Sequence, residues 1–527
     1  MWCFDTNADG RLAALTVVGL AACGTLTSAS SGQCEAARLL ASDGEASDAF
    51  GKSVALGDEV ALVGAPSGSR AAYVYRFNGA QWLEEAKLLP ICGSGSDFFG
   101  VSTGINSDLA VVGASLDEQG GLFAGAVHIY RFDGSDWAAE QKLLGTTGAR
   151  LGWAVAAGDD RIVVGAYAAD DMGEDSGAAY VFAYSRGTWI EEQKLLPDDG
   201  EAGDWFGYSV AIADTVVVVG APMTDDSAGL IDIGSAYVFR YDGAAWEQED
   251  KLTSGCCAPG DTFGHAVAVG SDVIVVGAPL DDDLGPDAGA AYVYQYDGGQ
   301  WPEVIELLAF NGSDYDSFGT AVAVWGDSVV IGAPGCDDAC PPGEDPLLCN
   351  SGAVYLYSGD EGEWELSVKF ITSDDTAGDE FGRSVGISGE TVVAGALGDD
   401  DLGLDSGSAY VFNGWSENDC NGNWIPDECD IASCDGDPAC DDCNENGVPD
   451  GCDIADGTSE DINGNGIPDE CECLGDLNGD GVVDTLDLVE LLASWDLCGL
   501  PADINCDGIV DVLDLLILLG HWGPCPN

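Results

Sequence analysis

Phe206-Gly207-Tyr208-Ser209-Val210-Ala211-Ile212-Ala213-Asp214-Thr215-Val216-Val217-Val218-Val219-Gly220-Ala221-Pro222 sets the terms for most of this chain. Ser209 to Ile212 alternates and ends at a turn, Ala213-Asp214. Val216 to Ala221 is an unbroken β-branched run, the pattern of a strand buried on both faces. An aromatic run follows, Tyr237-Val238-Phe239, and Asp242-Gly243 is a hairpin signal leading to Trp246 and Lys251. Four short strands in one unit outline a propeller blade.

The unit recurs. Phe-Gly returns at Phe50, Phe99, Phe263, Phe318 and Phe381, with Leu151 standing in once. Fourteen residues after each comes Gly-Ala, at Gly64, Gly113, Gly165, Gly220, Gly277, Gly332 and Gly395. A Trp opens the fourth strand, and five residues on stands Lys87, Lys142, Lys194, Lys251 or Lys369, with Glu306 as the exception. The first two strands are rich in Gly, Ala and Val, which suits a crowded axis. The last two carry Tyr, Phe and Trp, which fill a widening wedge. The seventh unit breaks off after Trp415 without a fourth strand, and Ala37-Arg38-Leu39-Leu40 is an orphan strand that completes it. The expected fold class is therefore an all-β seven-bladed propeller over 34–415 with no free edge.

These repeats, with Gly64-Ala65-Pro66, Gly220-Ala221-Pro222, Gly277-Ala278-Pro279 and Gly332-Ala333-Pro334, resemble FG-GAP repeats, the blades of the integrin alpha-subunit propeller. The resemblance implies extracellular adhesion or ligand binding. The Asp-x-Asp-x-Asp-Gly calcium loop common in such repeats is replaced here by tight turns such as Gly57-Asp58, so its calcium sites are not carried over. The acids lie elsewhere. Six of the seven loops after Gly-Ala have an acid five residues beyond the Gly, and Asp282, Asp283 and Asp287 form one cluster. The blade-to-blade crossings, on the same face, carry Asp48, Asp97, Asp204, Asp261, Asp316 and Asp379. Two readings stay open: turn-forming Asp on a solvated face, or a face that binds cations or a ligand.

Composition sharpens the functional classes. The 527 residues carry 94 Asp+Glu against 16 Lys+Arg, a formal net charge of −78. Such a charge repels nucleic acid and anionic lipid and favours hard cations. Three His leave little material for acid–base catalysis, and none pairs with an acid at triad spacing. Paired acids of the kind used in glycoside hydrolysis are inevitable at this composition and carry no weight. The apolar run Leu12 to Ala22 after Arg11 fits a signal-peptide region over 1–33 and implies export. Leu20-Ala21-Ala22-Cys23 offers a lipobox, and Thr25 to Gly32 offers ordinary cleavage. No later segment suits a membrane anchor. The 18 further cysteines read as disulfides in an exported chain.

Residues 416–527 hold 28 acids and no Lys or Arg. Over 416–473 one phrase occurs three times, with oxygen donors at loop positions 1, 3, 5, 9 and 12. The donors are Asp419, Asn421, Asn423, Asp427 and Asp430; Asp442, Asn444, Asn446, Asp450 and Asp453; and Asp461, Asn463, Asn465, Asp469 and Glu472. Pro at position 8 and Cys at positions 2 and 11 argue against a following helix, with Cys420–Cys429 and Cys443–Cys452 as candidate clips. These copies resemble thrombospondin type-3 calcium repeats. Over 474–527 a fuller Ca²⁺ loop occurs twice, 27 residues apart, each followed by an amphipathic helix. Its ligands are Asp476, Asn478, Asp480, the Val482 carbonyl, Asp484 and Asp487, then Asp503, Asn505, Asp507, the Ile509 carbonyl, Asp511 and Asp514. Calcium takes six to eight oxygens, and Gly at position 6 allows the sharp turn. The duplicated loop–helix resembles a type I dockerin, a small EF-hand-like α-helical module. That implies docking on a cohesin-type partner through Thr485, Leu486, Val512 and Leu513; an intramolecular cap is the competing role.

The sequence thus leads to an exported, calcium-binding, non-catalytic adhesion or ligand-binding protein whose propeller is tethered through its C-terminal module. The propeller's partner would be an extracellular protein or carbohydrate. The competing expectation is an accessory of an extracellular polysaccharide-degrading complex.

Overall fold

The computed structural model describes residues 35–413 apart from 93–96, 226–230, 256–257, 338–348, 361–362, 371 and 373–375. Of the tail it describes 442–444, 446, 448–459, 467–468, 471, 475–478, 482–495, 502, 504 and 509–524. The chain divides into a unit ending at Trp415 and a second from Ser416.

The first unit is built from seven four-stranded antiparallel sheets. The blade opened by Phe206 has strands Ser209–Ala213, Val216–Ala221, Ser235–Tyr241 and Trp246–Leu252 in sequential order. The continuous second strand, Val216–Ala221, is buried along its whole length, as a two-face strand must be. In the seventh blade, Phe381–Ser388, Thr391–Ala396 and Ser408–Asn413 are joined by Ala37–Leu39, with Arg38 opposite Tyr410. The N-terminal strand therefore closes the ring, as its orphan position in the sequence predicts.

First strands of neighbouring blades pack against one another around the axis. The core lies between blades. One cluster joins Val216, Val218 and Val238 of the fourth blade to Ile274, Val276 and Tyr292 of the fifth. Another joins Leu39, Val393 and Val411 to Phe50, Val63 and Tyr73 across the closure. Each Phe of Phe-Gly meets at least one aromatic residue of its own third strand edge-on, as Phe206 does with Tyr237 at 5.4 Å and Phe239 at 6.0 Å.

The two signature glycines explain the constant spacing. Gly51 donates its N–H to the Gly64 carbonyl within one blade at 3.1 Å. Across the blade boundary, a Cβ on Gly277 would sit 2.0 Å from the Gly319 carbonyl oxygen, and one on Gly395 would sit 2.0 Å from that of Gly51. Backbone rests on backbone there, and only glycine leaves room. Ser209 Oγ donates to the Gly264 carbonyl at 2.8 Å, and Ser384 Oγ to that of Gly51 at 2.8 Å, pinning the same junctions.

In the second unit, α1 (Asp450–Asp456), α2 (Thr485–Ala493) and α3 (Val512–Gly520) are helical. The first corrects the sequence expectation that no helix follows Pro449. A proline ahead of the first turn costs no hydrogen bond, because those N–H groups lack helical partners anyway. Acidic Asp450 and Asp453 suit the helix start, and Gly457 at φ 83° ends it. A second correction concerns the cysteines. Cys443 bonds Cys471, not Cys452, so the link closes a longer span than the repeat phrase suggests. Cys92 and Cys336, expected in disulfides, are thiols. The helices α2 and α3 share a core in which Val483 and Leu491 of one copy are matched by Val510 and Leu518 of the other.

The interblade contact yields a stability test. Gly277→Ala should lower unfolding free energy by about 3 kcal/mol or more, because the backbone it meets has no room to give. Gly255→Ala, where an added Cβ meets nothing within 4 Å, should change it by less than about 0.5 kcal/mol. Thermal or denaturant unfolding of both variants decides the point.

Candidate functional site

The third and fourth strands of each blade place one aromatic residue opposite one charged residue. Tyr73 faces Lys87, Tyr180 faces Lys194, Tyr237 faces Lys251 and Tyr355 faces Lys369. Each ammonium lies 5.0–5.2 Å from its ring centroid, a cation–π distance. Arg38 takes the same place over Tyr410 in the seventh blade. The cations also meet loop acids: Lys87 with Asp43 at 2.7 Å, Lys142 with Asp117 at 2.6 Å, Lys251 with Asp199 at 2.7 Å, and Lys194 with Asp171. His128 replaces the tyrosine in the second blade. It is fully buried, its Nδ1 accepts the Ile91 N–H at 2.9 Å, and burial pulls its pKa down to about 3. It is a packed neutral imidazole.

The fifth blade reverses the sign. Glu306 stands opposite Tyr292, and its carboxylate oxygen lies within 4.8 Å of those of Asp281 and Asp283. Asp281 is 2% exposed and accepts from the Tyr292 hydroxyl at 2.8 Å. Burial, then the Asp281 and Asp283 charges, push Glu306 up to about 7. Burial likewise raises Asp261 to about 7, helped by the same acidic loop. These three oxygen donors could hold a hard cation.

The remaining loop acids build their own turns. Asp170, Asp225, Asp282 and Asp400 accept the backbone N–H of Asp175, Asp232, Asp287 and Asp405, at 2.7–3.0 Å. Those four donors have positive φ between 52° and 55°, a conformation Asp tolerates better than most residues. Among the crossing acids, Asp48 accepts from the Glu45 N–H, Asp204 from Glu201 and Asp379 from Thr376, at 2.7–2.9 Å. Of the Asp282, Asp283 and Asp287 cluster, only Asp283 joins the carboxylate group with Asp281 and Glu306.

A second arrangement lies at the axis, on the face that carries the crossings. The residue after Phe-Gly opens the innermost strand, and in successive blades it is Lys52, Val101, Trp153, Tyr208, His265, Thr320 and Arg383. Trp153 contacts Tyr167 at 4.9 Å and Tyr208 at 5.5 Å, Trp205 stacks on Tyr208 at 5.9 Å, and Tyr208 meets His265 at 5.1 Å. Arg150 donates to the Tyr167 hydroxyl at 2.6 Å. Burial and then the Arg383 guanidinium pull Lys52 down to about 8 and His265 down to about 4. No local motif marks this ring of positions; its signal in the sequence is one variable residue beside an otherwise constant Phe-Gly.

In the tail, Asp487 and Asp514 are wholly buried. Asp487 accepts N–H groups of Leu477, Asn478 and Asp484 at 2.8–3.2 Å. Asp514 accepts those of Ile504 and Asp511 at 2.7–2.8 Å. Asp484 and Asp511 cap α2 and α3 through Leu486 and Leu513 N–H groups. Asp476, Asn478, Val482 and Ile509 lie in the described parts of the two loops. In the earlier repeat, Asp453 gathers the Asn444 and Asn446 amides at 3.0 and 2.8 Å, and Asp450 accepts the Cys443 N–H at 3.1 Å, with Asp442 capping the Asn446 N–H at 3.1 Å. Thr485, Leu486, Val512 and Leu513 are all exposed. Residues 1–34 with Cys23, Asp480, Asp503, Asn505 and Asp507 lie outside the described residues, as do all donors of the first and third earlier repeats.

Restoring the repeat's cation should relieve the fifth blade. A raised carboxylate keeps its proton in the folded state while the unfolded chain has lost it, so stability falls as pH rises from about 4.5 to about 7. Glu306→Lys should raise stability at pH 7.5 by on the order of 1 kcal/mol and flatten that slope, measured by thermal unfolding in chelator across pH. An unchanged slope would remove Glu306 as its source.

The FG-GAP repeat family model matches residues 34–75, 82–130, 137–182, 189–239, 246–294, 301–357 and 364–412. Integrin alpha-7 of Rattus norvegicus is 30% identical over 182 residues, covering 30% of this chain and 14% of that protein. Integrin alpha-2 of Bos taurus is 32% identical over 224 residues, covering 37% and 17%. The chain thus spans less than a fifth of the length of these curated relatives. Among solved structures, the WD40 β-propeller domain of Doa1 is 12% identical with a TM-score of 0.43, covering 73% of this chain and 99% of that one. With the repeat matched in every blade and over more than half of its residues, this chain belongs to the FG-GAP repeat family.

Proposed function

We propose that this is an exported, non-catalytic ligand-binding or adhesion protein that acts at or outside the cell surface. One observation carries the reading: the half-buried aromatic and basic residues gathered at the axial mouth, in a chain where acids dominate everywhere else. Aromatic rings with a few convergent polar groups are the usual make-up of a binding site. Of the two propeller histidines, His265 is held neutral beside these residues and His128 is packed away.

The tail serves as a calcium-stabilised tether. Residues 416–473 act as a stalk of thrombospondin type-3-like repeats and 474–527 as a dockerin-like module. Its described ligands are all oxygen donors, and Asp487 and Asp514 are buried carboxylates in a segment with no Lys or Arg. That donor set fits Ca²⁺. Asp476, Asn478, Asp484 and the Val482 carbonyl would hold one ion with Asp487, and Asp511 and the Ile509 carbonyl would hold another with Asp514. On the outer helix faces Leu486, Val489, Leu513 and Leu516 are 49–62% exposed, an apolar stripe of the kind that marks protein docking. A cohesin-type module is the proposed partner.

Two measurements test this. Calcium titration of the full chain by calorimetry should show about two fewer sites in an Asp487→Ala/Asp514→Ala variant; unchanged stoichiometry removes the calcium tether. Leu486→Asp/Leu513→Asp should keep calcium uptake and lose capture of a cohesin-type module. For the propeller, polysaccharides incubated with the chain should be retained without being shortened. Release of new reducing ends would instead favour a degradative role in a polysaccharide-processing complex.

A further inference from the structure

Of the bases in the propeller, the arginines on second and third strands are paired: Arg76 with Glu85, Arg131 with Asp108, Arg161 with Glu192 and Arg240 with Glu249, at 2.6–3.1 Å. At the axial mouth the pattern fails. Among the described residues, Lys52 and Arg150 have no carboxylate within ion-pair distance, and Arg383 reaches only Glu380 at 3.9 Å. Arg70 and Arg186 also lack one, but both are exposed on turns. Lys52, Arg150 and Arg383 are half-buried, where a charge without a partner is costly. With acids outnumbering bases 94 to 16, half-buried bases gathered where Glu380 is the one acid seen to act on Lys52 and Arg383 among the described residues need a reason outside the fold.

Their neighbours narrow the ligand. Trp153 and Trp205 each lie within 6 Å of Tyr208, centroid to centroid, and the three offer flat apolar faces flanked by hydroxyls. A pyranose ring presents one face of C–H groups and an edge of hydroxyls, which suits such a platform. Lys52 and Arg383 add the partners of a carboxylate, and a guanidinium matches carboxylate geometry best. The surrounding face is acidic, through Asp170, Asp171, Asp282 and their equivalents. A long polyanion would be repelled there, whereas one carboxylate on a narrow sugar end reaches the bases.

We infer that the axial mouth, bounded by Trp153, Trp205, Tyr208, Lys52 and Arg383, binds a carboxylate-bearing saccharide, such as a terminal uronic acid or other acidic sugar. The inference rests on the ligand-binding reading of the propeller and assigns its ligand class. The stacked rings hold the sugar, and the two bases select the acid. Arg150, bonded to the Tyr167 hydroxyl, fixes the edge of the platform.

The test uses the full chain on an array of saccharides: uronic-acid and nonulosonic-acid termini, their methyl esters, and neutral sugars of the same ring, with a poly-glutamate peptide as competitor. Acidic termini should bind at least about tenfold more tightly than their methyl esters, the scale of one charged hydrogen bond. Raising salt from about 0.05 to 0.5 M should weaken acidic binding and leave neutral binding unmoved. Lys52→Gln/Arg383→Gln, checked for an unchanged melting profile, should erase the acid preference, and Trp153→Ala should weaken every sugar. If neutral sugars or the peptide bind the mouth as well as acidic sugars do, or if the acid preference survives Lys52→Gln/Arg383→Gln, this inference fails while the ligand-binding reading stands. If no probe is retained, both fail.

Discussion

The propeller depends on a contact between two backbones. In every blade the glycine of Gly-Ala lies against the carbonyl of the next blade's Phe-Gly, at a distance no Cβ could share. The seven first strands can converge on the axis only because these positions carry no side chain. The consequences run outward. The Phe of Phe-Gly turns into its own blade and packs edge-on against third-strand aromatics, and the interblade cores form behind it. The constant fourteen-residue spacing from Phe-Gly to Gly-Ala measures one strand, one tight turn and one strand between two such contacts. The same contact closes the ring, where Gly395 of the last blade meets Gly51 of the first.

Charge is organised by the same repetition. A chain of net charge −78 has to neutralise what it buries. It does so with one base per blade in six blades of the ring, five of them set over a tyrosine and Lys142 opposite His128, with loop acids such as Asp43, Asp117 and Asp199 beside them. The second and third strands add their own arginine–glutamate pairs. Two departures stand out against that regularity. The fifth blade puts Glu306 where a base belongs and leaves three carboxylates together. The axial mouth does the opposite and gathers half-buried bases with little more than Glu380, 3.9 Å from Arg383, to offset them. A repeat makes such departures legible because the sister blades show what the position does when it is only structural.

Much of this was readable in the chain. The strand order, the seven blades and the N-terminal strand in the last one all follow from phrase and spacing, because each blade repeats the same local pattern. The exception at Glu306 is visible too. What is not visible is its company: Asp281 and Asp283 come from a loop more than twenty residues earlier, and only the fold sets them beside it. The axial cluster draws on five blades, so no local window contains it. In the tail, the helix Asp450–Asp456 is hidden from the sequence because a proline argues against a helix unless it stands before the first turn, as Pro449 does. The Cys443–Cys471 link was missed because pairing is a matter of distance in space.

The sequence by itself determined the architecture: glycine where backbones must touch, β-branched runs where strands are buried on both faces, aromatics where the wedge widens, and oxygen-rich loops along the tail. These are local requirements, and a local pattern states them. The tertiary structure decided which charges lack a partner. Partnership depends on residues far apart in the chain, and it is settled when the seventh blade closes on the first. That closure turns a variable residue after each Phe-Gly into one ring of side chains around a shared axis.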